Sequence, residues 1–328
     1  MPHVLVTGGA GYIGSHTCKI LAQRGFTPVV LDNLVHGHRA NVRWGPFFLG
    51  DVADTELVGR IVREHDIRAL VHFAAYAYVG ESMQKPEKYF DNNVGRGLRL
   101  LQTARENGVR HVVFSSTCAV YGLPEKVPID ERQSLRPVNP YGETKLMVER
   151  ALHWLGVSHS LGWMALRYFN AAGADPDGDL GELHDPETHL VPRVIQAALG
   201  QIPAVEIFGT DYDTPDGTAI RDYVHVNDLG TAHASALEYL MAGGESRAIN
   251  LGTGAGCSVQ EVVSAVEEIS GRPVPVQFAP RRPGDPPILV ADPSLARRTL
   301  DWSPRHSSLQ SILQTAWDWH RSTADGAQ

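Results

Sequence analysis

The strongest restriction on how this chain folds lies in its first fourteen residues. Val4-Leu5-Val6 is an unbroken apolar run, and Thr7-Gly8-Gly9-Ala10-Gly11-Tyr12-Ile13-Gly14 follows at once. A run without polar alternation suits a strand buried on both faces of a parallel sheet. Ile13, Thr17, Ile20 and Leu21 then recur at helical spacing. The glycines at 8, 11 and 14 therefore sit in a strand–turn–helix. There, Gly8 permits the tight turn, Gly11 lets the backbone approach a pyrophosphate, and Gly14 allows close helix packing. The helix N-terminus offers free N–H groups and partial positive charge to phosphates. Asp32 closes the next apolar run, Val29-Val30-Leu31. A carboxylate at that point can bind both adenosine ribose hydroxyls and repels a 2′-phosphate, which favours NAD over NADP. A purely structural turn is the competing reading.

The same rhythm continues. Phe47-Phe48-Leu49 reads as a third strand, and Asp54 caps a helix carrying Leu57 and Ile61. Ala69–Phe73 is a fourth strand, and Leu98, Leu101 and Ala104 mark a helix leading to a fifth, His111–Phe114. A helix after Pro140 precedes the strand Met164-Ala165-Leu166. Strands alternating with helices imply right-handed βαβ crossovers and an α/β fold with a doubly wound parallel Rossmann sheet. After Asn170 the pattern breaks: Ala171 to Glu187 is rich in Gly, Pro and Asp and reads as a long loop. The expected division is a dinucleotide-binding domain over 1–170, completed by part of 219–252, and a smaller mixed α/β substrate domain over 171–328. Ser258 and Glu261 form a capping box, with Val259, Val262, Val263, Val266 and Ile269 as the stripe and Gly271 as the stop. The last eight residues are expected to fray.

Composition excludes several classes. With 43% hydrophobic and 20% charged residues among 328, the chain can bury a large core. A net charge of -8 argues against nucleic acid, which calls for a basic face. No apolar run approaches the ~20 residues of a membrane span. The first residues enter a strand with no charged leader, so no signal peptide and a cytoplasmic location are expected. Cys18, Cys118 and Cys257 are widely spaced among apolar neighbours and read as buried reduced thiols. No metal site is expected: the 15 histidines lack an H-E-x-x-H spacing, and His36 and His38 read as a solvated turn. Gly252-Thr253-Gly254-Ala255-Gly256 also sits between strand and helix. It reads as a tight connection rather than a second nucleotide site, because it lacks a closing acidic residue or a Lys-Ser/Thr pair.

Tyr141 and Lys145 follow Asn139-Pro140, a plausible cap and first helical position, and lie one helical turn apart. A phenol of pKa near 10 is a poor base at neutral pH, but an adjacent ammonium and a positive nicotinamide both favour phenolate. A shift of ~3 units corresponds to about 4 kcal/mol. Alone, Tyr-x-x-x-Lys is an ordinary surface pair; after a dinucleotide fold it reads as catalytic. The fifth strand ends Ser115-Ser116-Thr117-Cys118-Ala119-Val120-Tyr121-Gly122. Thr117 stands where such sheets bind ligands, and can relay a substrate hydroxyl proton to Tyr141 or simply cap the strand end.

Together, the Gly8–Gly14 loop, Phe114–Gly122, the Tyr141/Lys145 pair, Leu166-Arg167-Tyr168-Phe169-Asn170, Arg221–His225 and Arg281-Arg282-Pro283-Gly284-Asp285 resemble the UDP-glucose 4-epimerase family of extended short-chain dehydrogenase/reductases over essentially the whole chain. The resemblance implies an isomerase that keeps NAD bound and inverts C4 of a UDP-sugar, UDP-glucose and UDP-galactose first, through a 4-keto intermediate. It implies cofactor contacts from Gly8, Gly11, Tyr12, Ile13, Gly14, Asp32, Asn33, Asp51, Val52, Phe73, Ala74, Ala75, Asn93, Ser115, Tyr141, Lys145 and Tyr168. It implies substrate contacts from Thr117, Tyr141, Asn170, His189, Leu190, Arg221, Tyr223, Arg282 and Asp285, and a homodimer. A guanidinium suits a diphosphate bidentately. The alternative for Arg221 is an ion pair with Asp222, which adjacency in an extended segment disfavours.

Sugar-nucleotide 4,6-dehydratases resemble this chain but carry Asp-Glu after the active-site Thr; here those positions are Cys118 and Ala119. A non-catalytic NAD sensor would not need Thr117, Tyr141 and Lys145 together. Many such epimerases have a lysine where this chain has Ala77. The Ala77-Tyr78-Val79-Gly80-Glu81-Ser82 segment resembles that of UDP-arabinose (UDP-xylose) 4-epimerases, which keeps pentoses open as substrates. Leu289 matches a position linked to acceptance of N-acetylated sugars, and leaves that question open too.

Overall fold

A computed structural model describes residues 1–282 and 284–326; Pro283 of the Arg281–Asp285 segment and the final two residues lie outside the described residues. Seven parallel strands form the main sheet: β1 (His3–Thr7), β2 (Thr27–Asp32), β3 (Phe47–Leu49), β4 (Ala69–His72), β5 (His111–Thr117), β6 (Gly162–Tyr168) and β7 (Arg247–Leu251). Their order is β3-β2-β1-β4-β5-β6-β7, all in parallel register. The order reverses between β1 and β4, and a crevice opens at the carboxyl ends of the strands there.

Alternation along each strand divides the core. Val4, Val6, Val30, Val71, Val113, Leu166 and Ile249 face one side. There they meet α1 (Tyr12–Gln23) and α5 (Val226–Met241). Leu5, Val29, Leu31, Leu70, Val112, Phe114 and Ala165 face the other. They pack on α2 (Thr55–Glu64), α3 (Gly97–Glu106) and α4 (Pro140–His159). Both faces are covered, which is why these strands read as continuous apolar runs. Local signals set the helix starts: Asp54 accepts from the Leu57 N–H, and Asn139 accepts from the Gly142 N–H ahead of Pro140. Two expectations are corrected. Leu98 is exposed and Leu100 joins Leu101 and Ala104 on the buried face of α3, which follows a seven-residue π-helical stretch, Phe90–Arg96. The C-terminal helix Leu309–Gly326 runs on through the first six of the eight residues expected to fray, the other two lying outside the described residues, anchored upstream by buried Ile312, Leu313, Ala316 and Trp317.

The remaining strands are short: Asn170–Ala172 beside Tyr223–His225, Val205–Phe208 beside Val276–Ala279, and Ile220–Arg221 between Cys257–Ser258 and Ile288–Leu289. The capping box of Ser258 and Glu261 forms as its residues suggest. Asp222 organises the approach to it. Its buried carboxylate accepts from the Thr253 N–H at 2.9 Å, the Thr253 hydroxyl at 2.7 Å, and the Gly254 and Ala291 N–H groups at 3.1 Å each. The second glycine cluster is therefore a turn folded around an internal anion. Arg221 points the other way and pairs with Asp285. Leaving these donors unsatisfied is costly, about 1–3 kcal/mol for the buried Ala291 N–H and less for each of the part-buried Thr253 and Gly254 groups. Asp222→Ala is expected to lower unfolding stability by about 3 kcal/mol or more, read from urea denaturation; an unchanged midpoint would contradict the role given to this carboxylate.

Candidate active site

One cavity of about 1360 Å³ runs along the carboxyl ends of the strands. It exceeds the ~300–1,000 Å³ of an ordinary ligand pocket and has room for two extended ligands end to end.

At one end lies the glycine turn. Gly8 has φ +73°, and a Cβ there would stand 2.7 Å from the Ala74 nitrogen of the neighbouring strand's exit. A Cβ on Gly14 would stand 2.2 Å from the Gly8 carbonyl oxygen, so this glycine packs α1 against the turn itself rather than against the sheet. Gly11 and the first turn of α1 border the cavity, as do Tyr12, Ile13, Asn33, Asp51, Val52, Phe73, Ala74 and Ala75. The Tyr12 hydroxyl donates to the Gly173 carbonyl. Asp32 is held by the Ala10 N–H at 3.0 Å and the Leu34 N–H at 2.8 Å; burial raises its pKa and these N–H groups oppose the shift. The cradle fits a dinucleotide: backbone N–H groups at a helix start, no side chains in the way, and a fixed carboxylate one strand over.

Asn93 is a correction. It is buried off the cavity, with its amide spent on the Tyr76 backbone and the Thr144 hydroxyl; the neighbouring Asn92 lines the wall instead. The π-helical stretch shifts the register by a residue, which sequence spacing does not reveal.

In the middle stand Thr117, Tyr141 and Lys145, with Ser115 and Tyr168 beside them. Lys145 is buried and donates to the Ser115 carbonyl at 2.9 Å, with its ammonium 5.0 Å from the Phe114 ring centre and 5.8 Å from that of Tyr141. The Ser115 and Tyr168 hydroxyls share a hydrogen bond. Thr117 caps the Ala119 N–H at 3.1 Å and lies on the same cavity wall as Tyr141.

The electrostatics of the protein alone disfavour phenolate. Burial pushes the Tyr141 phenol up, with Tyr168 adding to this and Thr117 opposing it. Burial also draws Lys145 down to about 7, against the pull of Glu149. The protein alone does not lower the tyrosine, because the desolvation that disfavours phenolate also weakens the ammonium meant to stabilise it.

At the other end, Asn170, Leu190, Arg221, Tyr223, Arg282 and Asp285 border the cavity. Arg221 meets Asp285 at 2.5 Å, and the Arg282 guanidinium lies 3.8 Å over the Phe208 ring. Ala77 and Leu289 are also on the wall. His189 lines the cavity too, but its Nδ1 is engaged by Glu182 and Glu187.

Two groupings escaped the sequence reading. Behind the Thr117 strand, Glu149 accepts from the Ser116 hydroxyl and, at two oxygens, from Arg167. Arg167 also reaches Tyr121, whose hydroxyl donates to Asn250. A charged residue eight positions after Tyr141 on the same helix was the available signal. The other is Glu182-x-His184-x-x-Glu187-x-His189, a local alternation of carboxylates and imidazoles. Among the thiols, Cys18 and Cys118 are buried, but Cys257 is only half-buried. No helix among the described residues is long and apolar enough to cross a membrane.

Residues 4–252 match the NAD dependent epimerase/dehydratase family. The chain belongs to that family. It is 52% identical to a UDP-glucose 4-epimerase of Rhizobium leguminosarum bv. trifolii over 317 residues, 97% of each chain. A crystal structure of UDP-glucose 4-epimerase from Brucella ovis in complex with NAD matches with TM-score 0.95 and 50% identity, covering 97% of this chain and 98% of that one. A UDP-glucose-4-epimerase from Stenotrophomonas maltophila with bound NAD and formylated UDP-arabinopyranose matches with TM-score 0.96 and 41% identity, over 99% of this chain and all of that one, 100%.

The buried lysine carries a stability signature. Its folded pKa of about 7 lies below that of the unfolded chain, so the unfolded state binds more protons between these values and stability rises with pH there. The penalty is fully present below the folded pKa. Relative to Lys145→Met, the parent protein is expected to gain thermal stability as pH is raised from about 7 towards about 10; a gap that does not change with pH would contradict the assigned shift.

Proposed function

We propose that this protein is an NAD-dependent UDP-sugar 4-epimerase that interconverts UDP-glucose and UDP-galactose through a 4-keto sugar. The observation that carries this reading is the grouping of Thr117, Tyr141 and Lys145 midway along one cavity, between a glycine cradle and an arginine-rich end. Asp32 and the first turn of α1 would hold the cofactor's ribose and pyrophosphate. Arg221, Arg282 and Asn170 would hold the uridine diphosphate, Arg221 exchanging its Asp285 partner for phosphate oxygens.

When bound, NAD supplies the hydride acceptor for C4 and a positive charge beside Tyr141. That charge is what the phenol lacks in the protein alone, since burial raises its pKa. Tyr141 then takes the 4-hydroxyl proton through or beside Thr117, and Lys145 stabilises the phenolate from the same helix face. The keto sugar turns about its diphosphate linkage and Tyr141 returns the proton after reduction of the opposite face. Cys118 and Ala119 provide no acid or base for eliminating water, which favours epimerisation over dehydration.

Residues 1–170 with β7 are taken as the cofactor domain and the rest as the sugar-nucleotide domain, in a cytoplasmic protein. The exposed apolar side chains of Leu98 on α3 and Met147, Trp154 and Val157 on α4 suit a homodimer formed through these helices.

Tyr141→Phe is expected to retain NAD and lose about 10²–10⁴-fold in kcat; near-normal turnover would overturn the assigned base. In a panel of UDP-galactose, UDP-N-acetylglucosamine, UDP-arabinose and UDP-glucuronic acid, UDP-galactose should have the highest kcat/KM. Turnover of pentoses alone would move the substrate assignment and leave the mechanism intact. Trp154→Glu should shift the protein from dimer to monomer in light scattering after size exclusion, and a monomeric parent would remove the dimer reading.

A further inference from the structure

We propose that Glu182, His184, Glu187 and His189 form a zinc site that fastens the loop between Asn170–Ala172 and Leu190–Ala198. The argument is geometric. His184 Nδ1 lies 3.0 Å from a Glu182 oxygen and 3.8 Å from a Glu187 oxygen; His189 Nδ1 lies 2.7 Å from Glu182 and 3.1 Å from Glu187. Each imidazole therefore faces both carboxylates, although an Nδ1 has one proton to donate. Two separate hydrogen-bonded pairs would not require this. Four donors directed at one point would, and all four lie within 4.8 Å of one another. Ligands about 2.1 Å from a tetrahedral zinc stand about 3.4 Å apart, and the four separations straddle that value.

Charge and donor chemistry agree. Two carboxylates balance one divalent cation when both imidazoles are neutral, and imidazole with carboxylate is a donor set zinc accepts. Both glutamate side chains are only 5% exposed, and no Lys or Arg salt bridge among the described residues neutralises either. Such buried anions need compensation, which within the cluster comes from a protonated imidazole or from a bound divalent cation. The carboxylate of Glu187 is also oriented by the Thr188 and His189 N–H groups, the outer hydrogen bonding that fixes metal ligands. Four protein ligands close the coordination shell, as in a structural site, on the wall of the same cavity. The loop carries His189 and, next to it, Leu190 on the cavity wall, and His184 packs edge-on to Tyr12 and Tyr78. Fastening it would therefore fix one wall of the site.

The test uses the full-length protein purified without chelator, with metal content measured by mass spectrometry. Chelated protein is then titrated with Zn²⁺, and with Co²⁺ as a spectroscopic substitute. The expected result is one zinc per chain, the intense visible absorption of four-coordinate cobalt, and a thermal midpoint lowered by chelator and restored by zinc. His184→Ala with His189→Ala should weaken zinc binding at least about 100-fold and abolish the chelator effect. Should the double variant fail to fold, Glu182→Gln tests the same ligand set, and the parent's own metal content and cobalt spectrum stand without either. The proposal is overturned if the parent, loaded or chelated, binds zinc no tighter than on the order of 100 µM, or if the ligand variants bind it as tightly as the parent.

Discussion

Two adjacent parallel strands, β1 and β4, send their chains to opposite faces of the sheet, and the rest of the molecule is arranged around the gap this leaves. Their carboxyl ends lie side by side, with α1 rising on one face and the β4 exit turning to the other. Nothing from the sheet itself can fill the space above them. The Phe73 and Ala74 N–H groups bond back to the Thr7 carbonyl, so the two exits are stitched at their base and the crevice has a fixed floor. Gly8 is required there because another backbone passes within contact of it. The second half of the chain then closes over the floor as a roof, and the cavity is the space between.

The chemistry midway along the cavity rests on a dry environment whose effects oppose one another. Burial drives Lys145 towards neutrality and Tyr141 away from phenolate, so neither group is set for proton transfer by its neighbour alone. Glu149 is the nearest counterweight, and it is committed to Arg167 and Ser116 in a buried network behind the strand. That network holds the strand end and helix α4 together from behind, and so maintains the Thr117–Tyr141–Lys145 geometry without entering the cavity. An arrangement of this kind is set for proton transfer only when a ligand brings charge with it.

Much of this was legible in the residues, because the responsible signals are local. The Val4–Gly14 segment specifies strand, turn and helix together; Asp54, Asn139 and Ser258 each mark a helix start through a bond to an N–H three residues on. The candidate site residues gather on one cavity for the same reason, since they lie at strand ends and helix starts. What escaped depends on non-local or register effects. Asn93 turns inward and Asn92 to the cavity within a π-helical stretch ahead of α3, and Leu100 rather than Leu98 lies on the buried face of that helix. The role of Asp222 is set by Ala291, 69 residues away. The glutamate–histidine cluster was local but matched no familiar spacing, and only the folded loop brings both imidazoles to both carboxylates.

The seventh strand of the main sheet is supplied by Arg247–Leu251, after the chain has made its excursion through the second half and back. On the ribosome, β6 is therefore made with an open edge and waits for some eighty residues of synthesis before its neighbour arrives, at the ~5–20 residues per second of translation. A released chain ending at residue 170 would display that edge unpaired, with Met164 and Leu166 deprived of the covering that α5 gives them. The two halves are thus bound by order of manufacture as well as by contact: the first cannot be finished until most of the second exists.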